Sequence, residues 1–165
     1  MCEPPPFYMP YSKATYKEKI MQSIIREIQR RDMSAVLSMM REFYASDAVY
    51  TSGSEEIFLA DIEGCLSDSP FIEGYVIEAE GELLGYAMLA KSYSTEFGKP
   101  CLWIEDIYIR AEHRGRGLGG AFMKYITEKY TDCIFRLEVE KENERAVALY
   151  KKCGFTVLPY MEMKK

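Results

Sequence analysis

Histidine and tryptophan occur once each in this 165-residue chain, and its five cysteines form no Cys-x-x-Cys pair. That leaves little with which to build a zinc centre, and no metal is expected. Long apolar runs are missing too. No window approaches the length of a membrane span, and the N-terminus lacks the charged-then-apolar pattern of a signal peptide. The expected location is the cytoplasm, without a membrane partner. Basic residues are in deficit, 21 Lys and Arg against 26 Asp and Glu, for a formal charge of −5. A broad nucleic-acid surface needs the opposite balance, whereas a small cationic substrate is compatible with this one. An odd cysteine count without framework spacing reads as free thiols in a reducing compartment. Cys101, Cys133 and Cys153 lie in apolar runs and are expected to be buried.

What is present is an ordinary globular composition, 48% hydrophobic and 28% charged, long enough for one domain with a real core. Residues 1–20, with Pro4-Pro5-Pro6 and Pro10, read as an extended arm, and 21–165 as the domain. Ser23 to Ile28 reads as a strand. Asp32 suits the N-cap of a helix reaching Tyr44, and the polar turn Thr51 to Ser54 precedes a helix from Glu55 to Leu66. Glu73 to Glu80 and Leu83 to Lys91 flank Glu80-Gly81-Glu82, a hairpin turn. Leu102 to Ile109 is the next strand, after a Gly98-Lys99-Pro100 break. A helix to about Tyr130, a strand from Ile134 to Glu140, a helix from Asn143 to Lys152 stopped by Gly154, and a strand from Phe155 to Met163 complete the chain. The expected order is β-α-α-β-β-β-α-β-α-β, an α/β (α+β) arrangement.

The densest signal is Arg114-Gly115-Arg116-Gly117-Leu118-Gly119-Gly120, set between a strand and a helix. Four glycines in six residues let successive N–H groups converge on one ligand, and the helix start adds unpaired donors. Two arginines make that ligand an anion, a phosphate or pyrophosphate. A Walker A loop would need lysine and a hydroxyl after its last glycine, where Ala121 and Phe122 stand. Gly115, Gly117 and Gly120 satisfy G-x-G-x-x-G, and Glu138 lies at ribose-contact distance in sequence. Against that dinucleotide reading, five residues (Arg110 to Arg114) separate strand from glycine. Too little chain follows for a doubly wound sheet, and a hairpin rather than a βαβ unit precedes it.

Arg114, Gly117 and Gly119 also form Arg-x-x-Gly-x-Gly, and Asn143, Ala146, Leu149-Tyr150 and Gly154-Phe155 form N-x-x-A-x-x-L-Y-x-x-x-G-F. With Glu105 to Ile109 before the loop, the chain resembles the GCN5-related N-acetyltransferase (GNAT) superfamily, and within it small-amine and polyamine acetyltransferases. The resemblance implies a mixed, mostly antiparallel sheet flanked by helices, with acetyl-CoA as donor. It assigns the pyrophosphate to the Arg114, Gly115, Arg116, Gly117, Leu118, Gly119, Gly120 loop. The pantetheine arm goes to the strand edge at Ile107, Tyr108 and Ile109, and Asn143 contacts the cofactor.

Acetyl transfer needs an amine stripped of its proton, since an alkyl ammonium titrates near 10, and a proton for the departing thiolate. Glu105 and Asp106 are adjacent on a strand and so should point to opposite faces. The resemblance makes Glu105 the base, with Asp106 as the alternative, and Tyr150 the general acid. Both carboxylates could equally be ordinary strand residues, Asn143 a plain N-cap and Tyr150 a core aromatic. His113 is expected to be a surface neighbour of the loop. The acceptor wall is expected from the first two helices and their connection, with Phe43, Tyr44, Asp47, Tyr50, Glu55 and Glu56, and from a loop at Tyr93 to Pro100. A homodimer is expected on the resemblance alone. A non-catalytic acyl-CoA-binding module stays open as the other class, and an NAD(P)-dependent oxidoreductase as a third.

Overall fold

In a computed structural model, which describes residues 23–161 and 163–165, a five-stranded sheet carries two pairs of helices. The N-terminal arm lies outside the described residues. The strands are β1 (Ile24–Glu27), β2 (Ile72–Ala79), β3 (Glu82–Ser94), β4 (Lys99–Ile109) and β5 (Ile134–Leu137), in spatial order β1-β2-β3-β4-β5. All neighbours are antiparallel except β4 and β5, which are parallel. The helices are α1 (Met33–Tyr44), α2 (Glu55–Leu66), α3 (Leu118–Lys129) and α4 (Glu144–Lys152).

The period-two and 3.6-period patterns divide the core between the two sheet faces. Val36, Met39 and Met40 of α1 and Phe58 and Ile62 of α2 pack with Val76, Tyr86, Met88 and Tyr108. Leu118, Phe122, Met123 and Ile126 of α3 and Tyr150 of α4 pack with Tyr75, Ile77, Leu89 and Ile104 on the other face. Glu80 (φ 52°) and Gly81 (φ 81°) make the two-residue turn between β2 and β3, as expected of a tight hairpin.

Three boundaries differ from expectation. Lys99 and Pro100 are not a break but the start of β4, paired with Ser94 and Tyr93, so the Tyr93 to Pro100 segment is a hairpin end rather than a loop. β5 stops at Leu137, not Glu140. Phe155 to Met161 forms no strand, although its apolar alternation suggests one; Val157, Tyr160 and Met161 are exposed. A strand needs a partner for its backbone groups, and among the described residues this segment has none.

Cysteine burial is also uneven. Cys101 is buried as expected, but Cys133, just before β5, is only half-buried, and Cys153 is exposed because it caps the last turn of α4 instead of facing the core.

Candidate active site

The site starts from two features of β4. Opposite Met88 and Leu89 of β3 stand Asp106 and Ile104, so Glu105 is an inserted residue, a β-bulge. The bulge shifts the side-chain alternation. Ile104 faces α3 and α4, Asp106 and Tyr108 face α1 and α2, and Ile107 and Ile109 again face α3 and α4. Glu105 itself is exposed. At the same level β4 and β5 part company. Their pairing runs from Cys101 with Ile134 to Ile104 with Leu137 and ends there. Beyond it, among the described residues, no strand pairs with this edge of β4, the geometry in which an extended ligand can lie along a strand.

The strand runs on, through a short turn, into the glycine loop. Gly115 (φ 79°) and Gly117 (φ 86°) take the left-handed conformation that disfavours a side chain, and Gly117 is the N-cap of α3. Ala121 donates to the Gly117 carbonyl at 2.9 Å, so the amides of the preceding first turn have no helical acceptor. A Cβ on Gly117 would meet nothing within 4 Å, while one on Gly119 would stand 2.9 Å from Leu149 Cδ2. Gly119 therefore lets α3 close on α4, and Gly117 leaves the amides open to a ligand. This arrangement fits a pyrophosphate.

Arg114 is exposed, and its Nε donates to the Ile109 carbonyl at 2.8 Å. Its guanidinium lies 5.2 Å from the centre of the Tyr108 ring. Leu118 is buried under the loop. Arg116 is half-buried beside it. The Tyr108 side chain turns toward α1, its hydroxyl donating to Glu42 at 2.7 Å.

Tyr150 is 8% exposed and packs in the cluster that also takes in Ile107, Ile109 and Leu118. Burial pushes its phenol up to about 12, which keeps it protonated at neutral pH. Asn143 Oδ1 accepts from the Ala146 amide at 3.2 Å, the cap of α4. Its oxygen is thus committed to the helix, leaving the side-chain NH2 as the group able to donate elsewhere. His113, expected at the surface, is buried, with Nε2 3.4 Å from Glu82.

Asp106 is the residue that sequence reasoning placed too loosely. It is 4% exposed and accepts from Tyr44 at 3.1 Å and Tyr86 at 3.0 Å. Desolvation pushes its carboxyl up to about 6, opposed by the two phenols and reinforced by the charges of Asp61 and Glu105. Tyr44 and Tyr86 carried no motif. Tyr86 has only its apolar-face placement on β3, which reads as core, and Tyr44, expected in the acceptor wall, has nothing in the sequence to link it to Asp106. Of the expected acceptor wall, Tyr50 is exposed and Glu55 is paired with Arg41 at 2.5 Å. A cavity of 530 Å³ lies elsewhere, between Arg26, Asp32, Glu78 and Arg110, and holds none of these site residues.

The model of the Acetyltransferase (GNAT) family matches residues 33–155, which include the bulge, the loop and α4. The chain belongs to that family. It is 36% identical over 144 residues to thialysine N-epsilon-acetyltransferase of Sus scrofa, covering 79% of this chain and 82% of that one. It is 25% identical over 116 residues to spermine/spermidine N(1)-acetyltransferase of Bacillus subtilis (strain 168), covering 65% and 76%. The GNAT fold matches the crystal structure of a possible acetyltransferase from Clostridium difficile 630 with a TM-score of 0.75 at 20% identity, covering 87% and 97%. The chain is accordingly an acetyl-CoA-dependent N-acetyltransferase, and the dinucleotide pattern of its glycines is a coincidence of spacing on a mostly antiparallel sheet.

Proposed function

We propose that this GNAT enzyme acetylates a primary amine of a small cationic acceptor by direct attack within a ternary complex. The observation that carries the reading is the end of β4–β5 pairing at the level of the Glu105 bulge, which puts an exposed carboxylate, an unpaired strand edge and the glycine loop along one strand and its continuation. The thialysine and polyamine acetyltransferases to which the chain is similar support an acceptor with an alkyl ammonium.

The loop from Arg114 to Gly120, with Ile107, Tyr108 and Ile109 by their backbone and Asn143 by its amide, would hold acetyl-CoA. Glu105 removes a proton from the ammonium, directly or through water. The amine nitrogen attacks the thioester carbonyl, the C–N bond forms, and the C–S bond breaks. Tyr150 passes its proton to the departing thiolate. The nitrogen gives up its second proton as the amide forms; of the two protons it loses, one makes good the proton that the phenol passed to the thiolate, and one is released to solvent overall. Asp106, deep beneath two phenols, is poorly placed to take part in proton transfer.

The same reading takes 21–165 as the domain and the cytoplasm as its location. It also takes a homodimer as the assembly, for which exposed Val157, Leu158, Tyr160 and Met161 offer an apolar surface.

Free-thiol release with a panel of amines tests the proposal. Glu105→Gln and Tyr150→Phe are each expected to lower kcat by about ten- to a hundred-fold, with the KM for acetyl-CoA little changed. Rates within a few-fold of wild type in both variants would remove these roles. Binding of CoA without thiol release from any amine would instead leave the non-catalytic module.

A further inference from the structure

The carboxylate next to Glu105 has an arrangement that stability alone does not explain. Asp106 is buried, makes no ion pair among the described residues, and is held only by two phenols on its two oxygens. A buried carboxylate without a countercharge is costly, and an apolar residue of similar size would fit the surrounding core of Met88, Tyr86 and Tyr108 at lower cost.

The two phenols lead to different places. Tyr86 sits in the middle of β3 and is fixed by the sheet. Tyr44 is the last residue of α1, and the connection 45–54 begins at once after it. Its ring lies 4.8 Å from that of Phe58 on α2. The connection closes back over this pair at Gly53 (φ 61°), where a Cβ would strike the Phe58 ring and stand 3.2 Å from Tyr44 Cδ1. Both ends of the connection are thereby tied, through one hydrogen bond, to the residue that follows the bulge.

We propose that Asp106 is a positioning residue for the acceptor: through Tyr44 it holds the 45–54 connection in register with Glu105, and so sets which amines reach the thioester. This rests on the acetyltransferase reading above, with the acceptor entering between that connection and the bulge. The function of the buried carboxylate is then to join the acceptor wall to the catalytic strand, while Tyr86, fixed in the sheet, only satisfies its other oxygen.

The experiment compares wild type with Tyr44→Phe, Tyr86→Phe, Asp106→Leu and the Tyr44→Phe/Asp106→Leu pair, by steady-state kinetics and by amide hydrogen exchange. Tyr44→Phe is expected to raise the acceptor KM about five-fold or more while leaving the acetyl-CoA KM within about two-fold. Exchange in 45–54 should quicken by about ten-fold, with that of α3 unchanged. Tyr86→Phe removes an equivalent bond from the same carboxylate and should leave the acceptor KM within about two-fold. The double variant should be no worse than Tyr44→Phe, since the two residues act as one unit.

Equal KM shifts in the two tyrosine variants overturn the proposal. So does a loss of Tm in Tyr44→Phe with no change in acceptor KM, or additive losses in the double variant. Should Asp106→Leu fail to fold, the two tyrosine variants decide alone. A wild-type chain that acetylates no amine overturns the acetyltransferase reading instead, and hydrogen exchange, which needs no turnover, then still reports on the tether.

Discussion

Replacing Asp106 by Asn isolates the cost of the buried charge, because it keeps the shape and removes the ionisable group. In the unfolded chain this carboxyl titrates near 3.8, and in the fold desolvation brings it to about 6. Between those values the folded protein keeps a proton that the unfolded chain has lost. The stability contributed by Asp106 is therefore fully present below about pH 4 and is lost as pH rises through 6, about 3 kcal/mol in all. About half of that loss falls between pH 5 and pH 8.

The groups facing Asp106 are Tyr44 from α1, Asp61 and Cys65 from α2, Tyr86 from β3 and its neighbour Glu105. Both phenols are pushed above their ordinary range, and burial pushes the Cys65 thiol up to about 12, so none of the three changes charge in this window. Burial also raises Asp61, and an Asp61→Asn background removes that second source. Urea unfolding of wild type and Asp106→Asn at pH 5 and pH 8 gives the difference directly. The variant should gain on wild type by about 1 kcal/mol or more between the two pH values. A stability gap that stays constant, or narrows with pH, would refute the reasoning.

Two glycine predictions follow from close approaches. A Cβ on Gly85 would collide with the Tyr108 carbonyl across the β3–β4 pair, so Gly85→Ala should cost about 2–3 kcal/mol by chemical denaturation, and a loss under about 0.5 kcal/mol would contradict the packing described. Gly119→Val should push α3 away from Leu149 and weaken CoA binding by about ten-fold in calorimetry. Leu149→Ala in the same chain should recover part of that affinity, and no recovery would mean that the two helices do not meet there.

The sequence made the cofactor end of the site readable because its chemistry uses residues with few other purposes. Glycines at Gly115 and Gly117 mark backbone conformations that other residues resist, and the loop and α4 motifs stand at a fixed separation. The bulge left no such mark. It occurs within Ile104-Glu105-Asp106, where strict alternation puts the two carboxylates on opposite faces, and only the register with Met88 and Leu89 shows the insertion. The bonds of Tyr44 and Tyr86 to Asp106 were illegible for a different reason, although Tyr44 itself was expected in the acceptor wall: a tyrosine on an apolar face packs as core whether or not its hydroxyl holds a carboxylate. The segment after Gly154 shows the limit of periodicity. Alternating apolar residues state that a strand could form, and pairing decides whether it does.

The inserted residue in β4 works like a shift of reading frame. Upstream of Glu105 one set of positions points to α3 and α4, and downstream the complementary set does. Deleting Glu105 would restore plain pairing with Asp106 still opposite Met88 and Ile107 still opposite Ala87, so the two faces would stay as they are and only the bulge would go. What the extra residue gives a transplanted or redesigned strand is the bulge itself, with an exposed carboxylate at the level where β4 and β5 stop pairing. A substitution in it must be judged by which side of Glu105 it falls on.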